Sequence, residues 1–295
     1  MLWFIFAFLT AFFEATKDVL SKKSLKDIDE YAVAWSLPCF ALPFLLPTLL
    51  FTEIPLLGER FWLALATGGT LYAFTLVLYM KAIKSSDLSI TVPMLTFTPL
   101  FLLITSPIMV GELPDISGFA GIFLIVTGSY LLNINCTKKS ISPGYRSRYL
   151  APFKALLKEK GPRLMLVVAF IWSITANIDK IGLQNSSPLF WVIAVDIYVA
   201  LLMLPLCAFR GNRKTAQIRA NWRALLKLGL FGCLTAVCQM IAIRLTLVAY
   251  VIAIKRTSAI GGVLFGYLIF KEEGIRARLA GAIVMVFGVL FITLF

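Results

Sequence analysis

Two stretches, Pro99–Leu132 (PLFLLITSPIMVGELPDISGFAGIFLIVTGSYLL) and Ala259–Ile292 (AIGGVLFGYLIFKEEGIRARLAGAIVMVFGVLFI), decide how this chain is built. Each reads as an apolar block, a break and a second apolar block. Each carries a Glu, then a Gly nine residues on, then a second Gly seven further. These are Glu112, Gly121 and Gly128 in one copy and Glu272, Gly281 and Gly288 in the other, at an offset of 160. The same register pairs Met80, Ala82, Ile83 and Ala120 with Met240, Ala242, Ile243 and Ala280. Upstream the offset is 158, pairing Ala11, Phe12, Lys22, Leu25 and Pro47 with Ala169, Phe170, Lys180, Leu183 and Pro205. Apolar coincidences are cheap in so hydrophobic a chain. Matches at Lys, Glu, Pro and two Gly in fixed register are not, and they mark an internal duplication.

The composition says what is duplicated. Of 295 residues, 60% are hydrophobic and 15% charged, where a soluble domain carries about a quarter charged residues. The apolar residues fall in blocks of about 20, the length that crosses hydrocarbon as a helix. Barrel strands would be shorter and would alternate, so an all-α membrane protein is expected. Ten spans are predicted, at Leu2–Leu20, Tyr31–Phe51, Phe61–Met80, Leu88–Val110, Ile116–Ile134, Leu164–Leu183, Pro188–Phe209, Ala224–Ile243, Leu247–Phe270 and Ile275–Leu294. The N-terminal block has no basic flank and no small-residue cleavage site, so it is expected to stay as the first span.

One long basic connector divides these spans into five and five. The expected organisation is a first repeat over 1–135, a connector over 136–163 with a short surface helix at Pro152–Lys160, and a second repeat over 164–295. An odd number of spans per repeat inverts the second copy. Inverted repeats are a common architecture of secondary transporters, with the substrate site near the midplane between copies.

The net charge of +13 is explained by position. Lys and Arg crowd the odd-numbered loops, while the even loops hold little beyond Arg60, Lys180 and Arg244. The positive-inside rule then puts the odd loops in the cytoplasm and both termini outside, in the cell (inner or plasma) membrane. Nucleic acid is not an expected partner. The five cysteines show no metal-ligand spacing and the chain has no His, which excludes His-based triads and zinc sites. No P-loop or other cofactor motif is present, so no cofactor is expected, and energy must come from a gradient of a proton or another ion.

With the Lys that closes the first span of each half (Lys22, Lys180) and the Glu…Gly…Gly joint, the sequence resembles the drug/metabolite transporter superfamily with its tandem EamA-type domains. The resemblance covers nearly the whole chain. It implies a ten-helix inverted repeat that moves small metabolites by alternating access, and it implies no enzyme activity. Members of the family include exporters of amino acids and amines, and more distant relatives carry nucleotide sugars or phosphorylated sugars. Several well-known members are thought to keep both termini in the cytoplasm, in contrast to the loop count here.

Polar groups inside the spans are the candidate substrate site, because an intramembrane charge is costly and is kept for a reason. Lys255 and Arg256 stand side by side within the ninth span. Their counterparts in the first half are Leu95 and Thr96, so the scaffold repeats and the charge does not. That asymmetry favours a ligand role. Glu14, Lys17 and Asp18 share one face of span one at i, i+3 and i+4. Asn177, Asp179 and Trp172 lie on span six, Asp196 on span seven, and Gln239 on span eight. Asp179 and Asp196 match the depth of the cation pair better than Glu14, which falls about 4–5 Å to the other side of its midpoint. They are therefore the expected partners. Tyr72, Tyr79, Trp35 and Trp172 can line the site or grip a cation. Pro93 and Pro99, with Gly261 and Gly262, are expected to distort the helices beside it. Gly121, Gly128, Gly281 and Gly288 are expected to permit close helix contact, and Gly111–Glu112 and Lys271–Glu272 to cap or hinge helices.

The resulting expectation is a secondary transporter of a small polar metabolite, amino-acid-like or anionic. An organic-cation or amine carrier and a lipid flippase are the competing readings, with a membrane enzyme on lipid-linked substrates behind them.

Overall fold

The computed structural model describes residues 2–85, 92–134, 160–208, 212–260 and 275–294. In the first half α1 runs Leu2–Ser24 and α2 runs Glu30–Leu45, continued by a 3-10 turn at Leu46–Leu50. Then come α3 (Phe61–Ser85), a 3-10 segment at Val92–Phe97, α4 (Thr98–Met109) and α5 (Ile116–Ile134). In the second half α6 is Lys160–Gln184, α7 Pro188–Ala208, α8 Asn212–Ala220, α9 Trp222–Leu245, α10 Val248–Lys255 and α11 Ile275–Leu294. The described residues contain no strand. Among the described residues, five segments are long and apolar enough to cross a membrane: Glu30–Leu50, Phe61–Ser85, Lys160–Gln184, Pro188–Pro205 and Trp222–Leu245. Shorter apolar helices lie at Met94–Met109, Ile116–Leu131 and Ala280–Leu294.

The first helix is built inside out relative to one of a water-soluble bundle. On α1 the large side chains Leu2, Ile5, Phe8 and Phe12 face outward, while Ala7, Thr10, Ala11, Glu14 and Ala15 are buried. Small and polar residues inside, with bulky apolar ones outside, is what hydrocarbon surroundings select. Helix ends use familiar devices. The Asp29 side chain accepts the Tyr31 N–H at 3.1 Å to cap α2, and Gly111 takes φ +70° after α4, a conformation open to glycine without steric cost.

Packing follows the duplication. The contact of α1 with α9 has its counterpart in α6 with α3, and α2 on α9 is matched by α7 on α3. The fifth helices of the two halves, α5 and α11, pack on each other. That crossing leaves no room for side chains. A Cβ on Gly121 would lie 2.7 Å from Gly288 O, and one on Gly128 would lie 2.6 Å from Gly281 O. The glycines do permit close approach, as their spacing suggested.

One of the two joints lies within the described residues. Lys180 Nζ donates to Ile243 O at 2.7 Å and Thr246 O at 2.8 Å, and pairs with Glu112 Oε1 at 3.0 Å. Glu112 Oε2 in turn accepts the Val248 N–H at 2.9 Å. The Glu of the repeated pattern thus caps α10 while Lys180 satisfies carbonyls at the end of α9, which helix termini otherwise leave unpaired.

Three expectations about the elements need amendment. The fourth span is not a continuous helix: it is 3-10 at Val92–Phe97 and becomes α only at Thr98, with Pro99 in the first turn. The ninth likewise stops at Lys255, turns at 256–257 and is helical again at 258–260. The stretch 212–220, read as loop, is the short helix α8, rich in good helix formers and anchored by Ile218 and by Gln217, whose Oε1 accepts the Asp29 N–H at 3.2 Å. The connector lies outside the described residues except for its end, where α6 begins at Lys160 rather than Leu164. Gly261, Gly262, Lys271 and Glu272 also lie outside them.

Replacing Gly128 by Leu forces its side chain into the α11 backbone. Overpacking of this kind costs about 1–3 kcal/mol or more. The variant should lower the unfolding temperature of the detergent-solubilised protein, while Phe123→Leu on the outward face should leave it within error.

Candidate functional site

The charges of α1 and of the end of α10 converge, joined by Gln239 of α9. Because α1 packs on α10, the i, i+3, i+4 face of α1 meets the break that follows Lys255. Glu14, 2% exposed, uses both carboxylate oxygens: Oε2 meets Lys17 Nζ at 2.6 Å and Oε1 meets Lys255 Nζ at 3.4 Å. Lys255 Nζ also donates to Gln239 Oε1 at 2.8 Å. Arg256 Nη2 donates to Thr98 Oγ1 at 3.0 Å, while its Nε has no acceptor among the described residues.

Aromatic rings complete the arrangement. Trp172 stacks on Tyr79 with ring centres 5.3 Å apart and holds its own place by donating from Nε1 to Thr75 Oγ1 at 3.2 Å. Lys255 and Arg256 lie 6.0 and 5.6 Å from the Trp172 ring, within reach of a cation–π attraction. The Tyr79 hydroxyl donates to Asp18 Oδ1 at 2.9 Å. Trp191 Nε1 donates to Asp179 Oδ1 at 3.0 Å.

These groups surround a cavity of about 120 Å³. Both halves line it. Lys17, Tyr72, Tyr79 and Thr98 come from the first, and Trp172, Asp179, Trp191, Asp196, Gln239, Lys255 and Arg256 from the second. At about 10–15 Å³ of such space per water, it has room for roughly ten waters, or a small metabolite.

The structure brings most of the sequence candidates together and redistributes their roles. Lys255, Arg256, Gln239, Trp172, Tyr79, Asp179 and Asp196 line the cavity. Glu14 and Asp18 stand behind it, bonded to wall residues. Three expectations are corrected. The partner of Lys255 is Glu14, not Asp179 or Asp196, because the facing of α1 on α10 decides the pairing. The flexible Lys stem then absorbs the axial offset that argued against it. Asn177 is fully buried away from the cavity, bonded to Ser106, Thr105 and the Ser173 carbonyl, so it pins α6 to α4. Thr96 is buried off the wall, and Thr98, two positions on, meets Arg256 instead. Two further wall residues, Trp191 and Thr98, are not among the candidates read from the sequence. A Trp in an apolar block and a Thr in a Thr-rich stretch carry no signal before the helices are packed. Lys17 was legible only as a partner for its neighbours on α1, yet it reaches the wall.

A helical membrane protein built of two like halves, with a charged and aromatic cavity between them, belongs to the class of membrane transporters. The pattern of the EamA-like transporter family matches residues 1–134 and again 160–294. The chain belongs to that family, a multi-pass membrane transporter family. No curated protein matches. Among solved structures, one described only as "Crystal structure of protein" covers 98% of this chain and 96% of its own, with TM-score 0.70 and 16% identity. At that identity the likeness speaks for the fold alone.

Glu14→Gln strands Lys17 and Lys255 without their shared carboxylate. Breaking a buried pair costs about 3–5 kcal/mol, mostly as the penalty of the charge left behind. Thermal unfolding in detergent should show Glu14→Gln more destabilised than the double variant Glu14→Gln/Lys255→Met, in which one stranded cation has gone.

Proposed function

We propose that this protein is a secondary transporter that moves a small polar metabolite across the cell (inner or plasma) membrane by alternating access. On this reading the chain forms ten membrane helices in two inverted five-helix repeats, 1–135 and 164–295, joined by the basic connector 136–163, with both termini outside. The observation that carries the proposal is the cation pair Lys255–Arg256 on the wall of a cavity lined by both halves. The paired packings of α1 on α9 and α6 on α3 support two halves that rock against each other about a common centre.

The substrate carries an anionic group, a carboxylate or phosphate, that meets Lys255 and Arg256. Glu14 already offers Lys255 a carboxylate, so an arriving anion exchanges with it or shares the cation. The Trp172 and Tyr79 rings give the substrate an apolar surface. Transport is coupled to a gradient, of a proton or of another ion. The organic-cation reading requires Lys255 and Arg256 to be neutralised by Asp179 or Asp196, whereas Glu14 is the carboxylate paired with Lys255.

The test is counterflow in proteoliposomes loaded with a cellular metabolite extract, followed by mass spectrometry of what exchanges. Saturable exchange of an anionic or amino-acid-like solute is expected. Lys255→Met and Arg256→Met should each reduce it at least about tenfold, the effect of about 1.4 kcal/mol of lost binding. Normal exchange by both variants would refute the role given to the pair, and product formation without flux would point to an enzyme.

A further inference from the structure

One carboxylate on the cavity wall is left unmatched by its surroundings among the described residues. Asp196 is 7% exposed, lines the cavity from α7, and has no hydrogen bond or ion pair among the described residues. The other charged groups in and behind the wall are engaged. Lys17 and Lys255 hold Glu14, Arg256 holds Thr98, Asp179 holds Trp191 and Asp18 holds Tyr79. The helices packed against α7 bring little to Asp196. Leu37, Ala41, Gly232 and Ala236 on the wall are apolar, and the Thr235 hydroxyl donates to Phe231 O at 2.7 Å. The Tyr72 hydroxyl, also on the wall, has no hydrogen bond among the described residues. A buried carboxylate without a partner is expensive. In a membrane protein such a group marks a ligand position.

We propose that Asp196 receives an organic ammonium group of the transported molecule, making the substrate dipolar, with its anionic end on Lys255 and Arg256. This rests on the transporter reading above and assigns the second end of the same cavity. A metal ion is a poor occupant. One carboxylate and one hydroxyl fall well short of the six or more oxygens that calcium or magnesium collects, and the described residues hold no cluster of metal-ligating side chains. An alkylammonium needs fewer acceptors and gains from the Tyr72 and Trp191 rings on the same wall. Glu14 is a poorer candidate for the ammonium, since both its oxygens already meet lysine ammonium groups.

Matched probes test it. Alanine, leucine and phenylalanine, each with the corresponding amine (ethylamine, 3-methylbutylamine, phenethylamine) and carboxylate (propanoate, 4-methylpentanoate, 3-phenylpropanoate), are titrated by calorimetry against the full-length protein in detergent. At least one amino acid should bind more tightly than both of its half-probes. Asp196→Asn is isosteric and removes an unpaired buried charge, so it should fold. It should weaken that amino acid and its amine about tenfold or more while leaving the carboxylate unchanged. Lys255→Met should do the converse, and Asp196→Glu should retain part of the amine affinity. The proposal is overturned if no amino acid binds, if Asp196→Asn binds the amino acid as the wild type does, or if it weakens all three probes alike. Counterflow separates this failure from that of the transporter reading. Saturable exchange of a solute without an amine, equal in wild type and Asp196→Asn, sinks the ammonium site alone, whereas no saturable exchange by the wild type sinks both.

Discussion

Glu14 lies between Lys17 and Lys255, and the polar interior depends on that sharing. In a low-dielectric interior an unpaired charge costs several kcal/mol. One carboxylate with an oxygen 2.6 Å from one ammonium and another 3.4 Å from the second offsets two such costs. Of the cations gathered here, Arg256 has no ion pair among the described residues, so the carboxylate contacts alone leave positive charge over. The excess positive charge is spread over neutral acceptors and a ring: Gln239 Oε1, Thr98 Oγ1 and the face of Trp172. Each stabilises a cation less than a carboxylate does, and an anion entering the cavity improves on them.

The scaffold that holds this cluster is symmetric where it bears packing and asymmetric where it bears charge. The glycine crossing of α5 with α11 brings Gly121 against Gly288 and Gly128 against Gly281, so each helix supplies the space the other needs. The fourth helices of both halves break at equivalent places. In the first copy, prolines flank 3-10 turns that carry Leu95 and Thr96. In the second, the turn directly follows Lys255 and includes Arg256. A break in a membrane helix exposes backbone and opens a place for side chains to project, which membranes tolerate only beside protein or a polar cavity. The duplication therefore supplies two such places, and the charge was placed in one.

What could be read from the sequence, and what could not, divides along physical lines. The duplication, its glycines and the recurrence of Glu112 and Lys180 were legible, because their signal is a fixed register of rare residues in an apolar background; that Glu112 and Lys180 pair with each other was not. The cation pair was legible for the same reason: charge inside a 24-residue apolar block stands out. Pairing was not. Depth along a helix axis follows from counting residues, but whether Glu14 or Asp196 meets Lys255 depends on the rotation of each helix about its axis. The apolar residues of these helices are spread nearly all round, so periodicity fixes no facing. Asn177 failed for a related reason. A buried amide looks the same in sequence whether it faces a cavity or, as here, two hydroxyls of α4.

A carrier must release what it binds, and Glu14 bears on that requirement. Two free cations in a dry cavity would hold an anion tightly, and tight binding on one side becomes slow release on the other. A resident carboxylate changes the balance. Binding replaces one Lys255–carboxylate contact with another, so the net gain is the difference between two similar pairs. Release is helped in the same measure, because the departing anion leaves Lys255 to Glu14 rather than to nothing. On the transport reading, Glu14 and the substrate compete for one cation, and the depth of the binding well is set by how closely the substrate's anion matches Glu14 in charge and reach. The aromatic wall and the Asp196 carboxylate then carry the discrimination that the exchanged pair cannot.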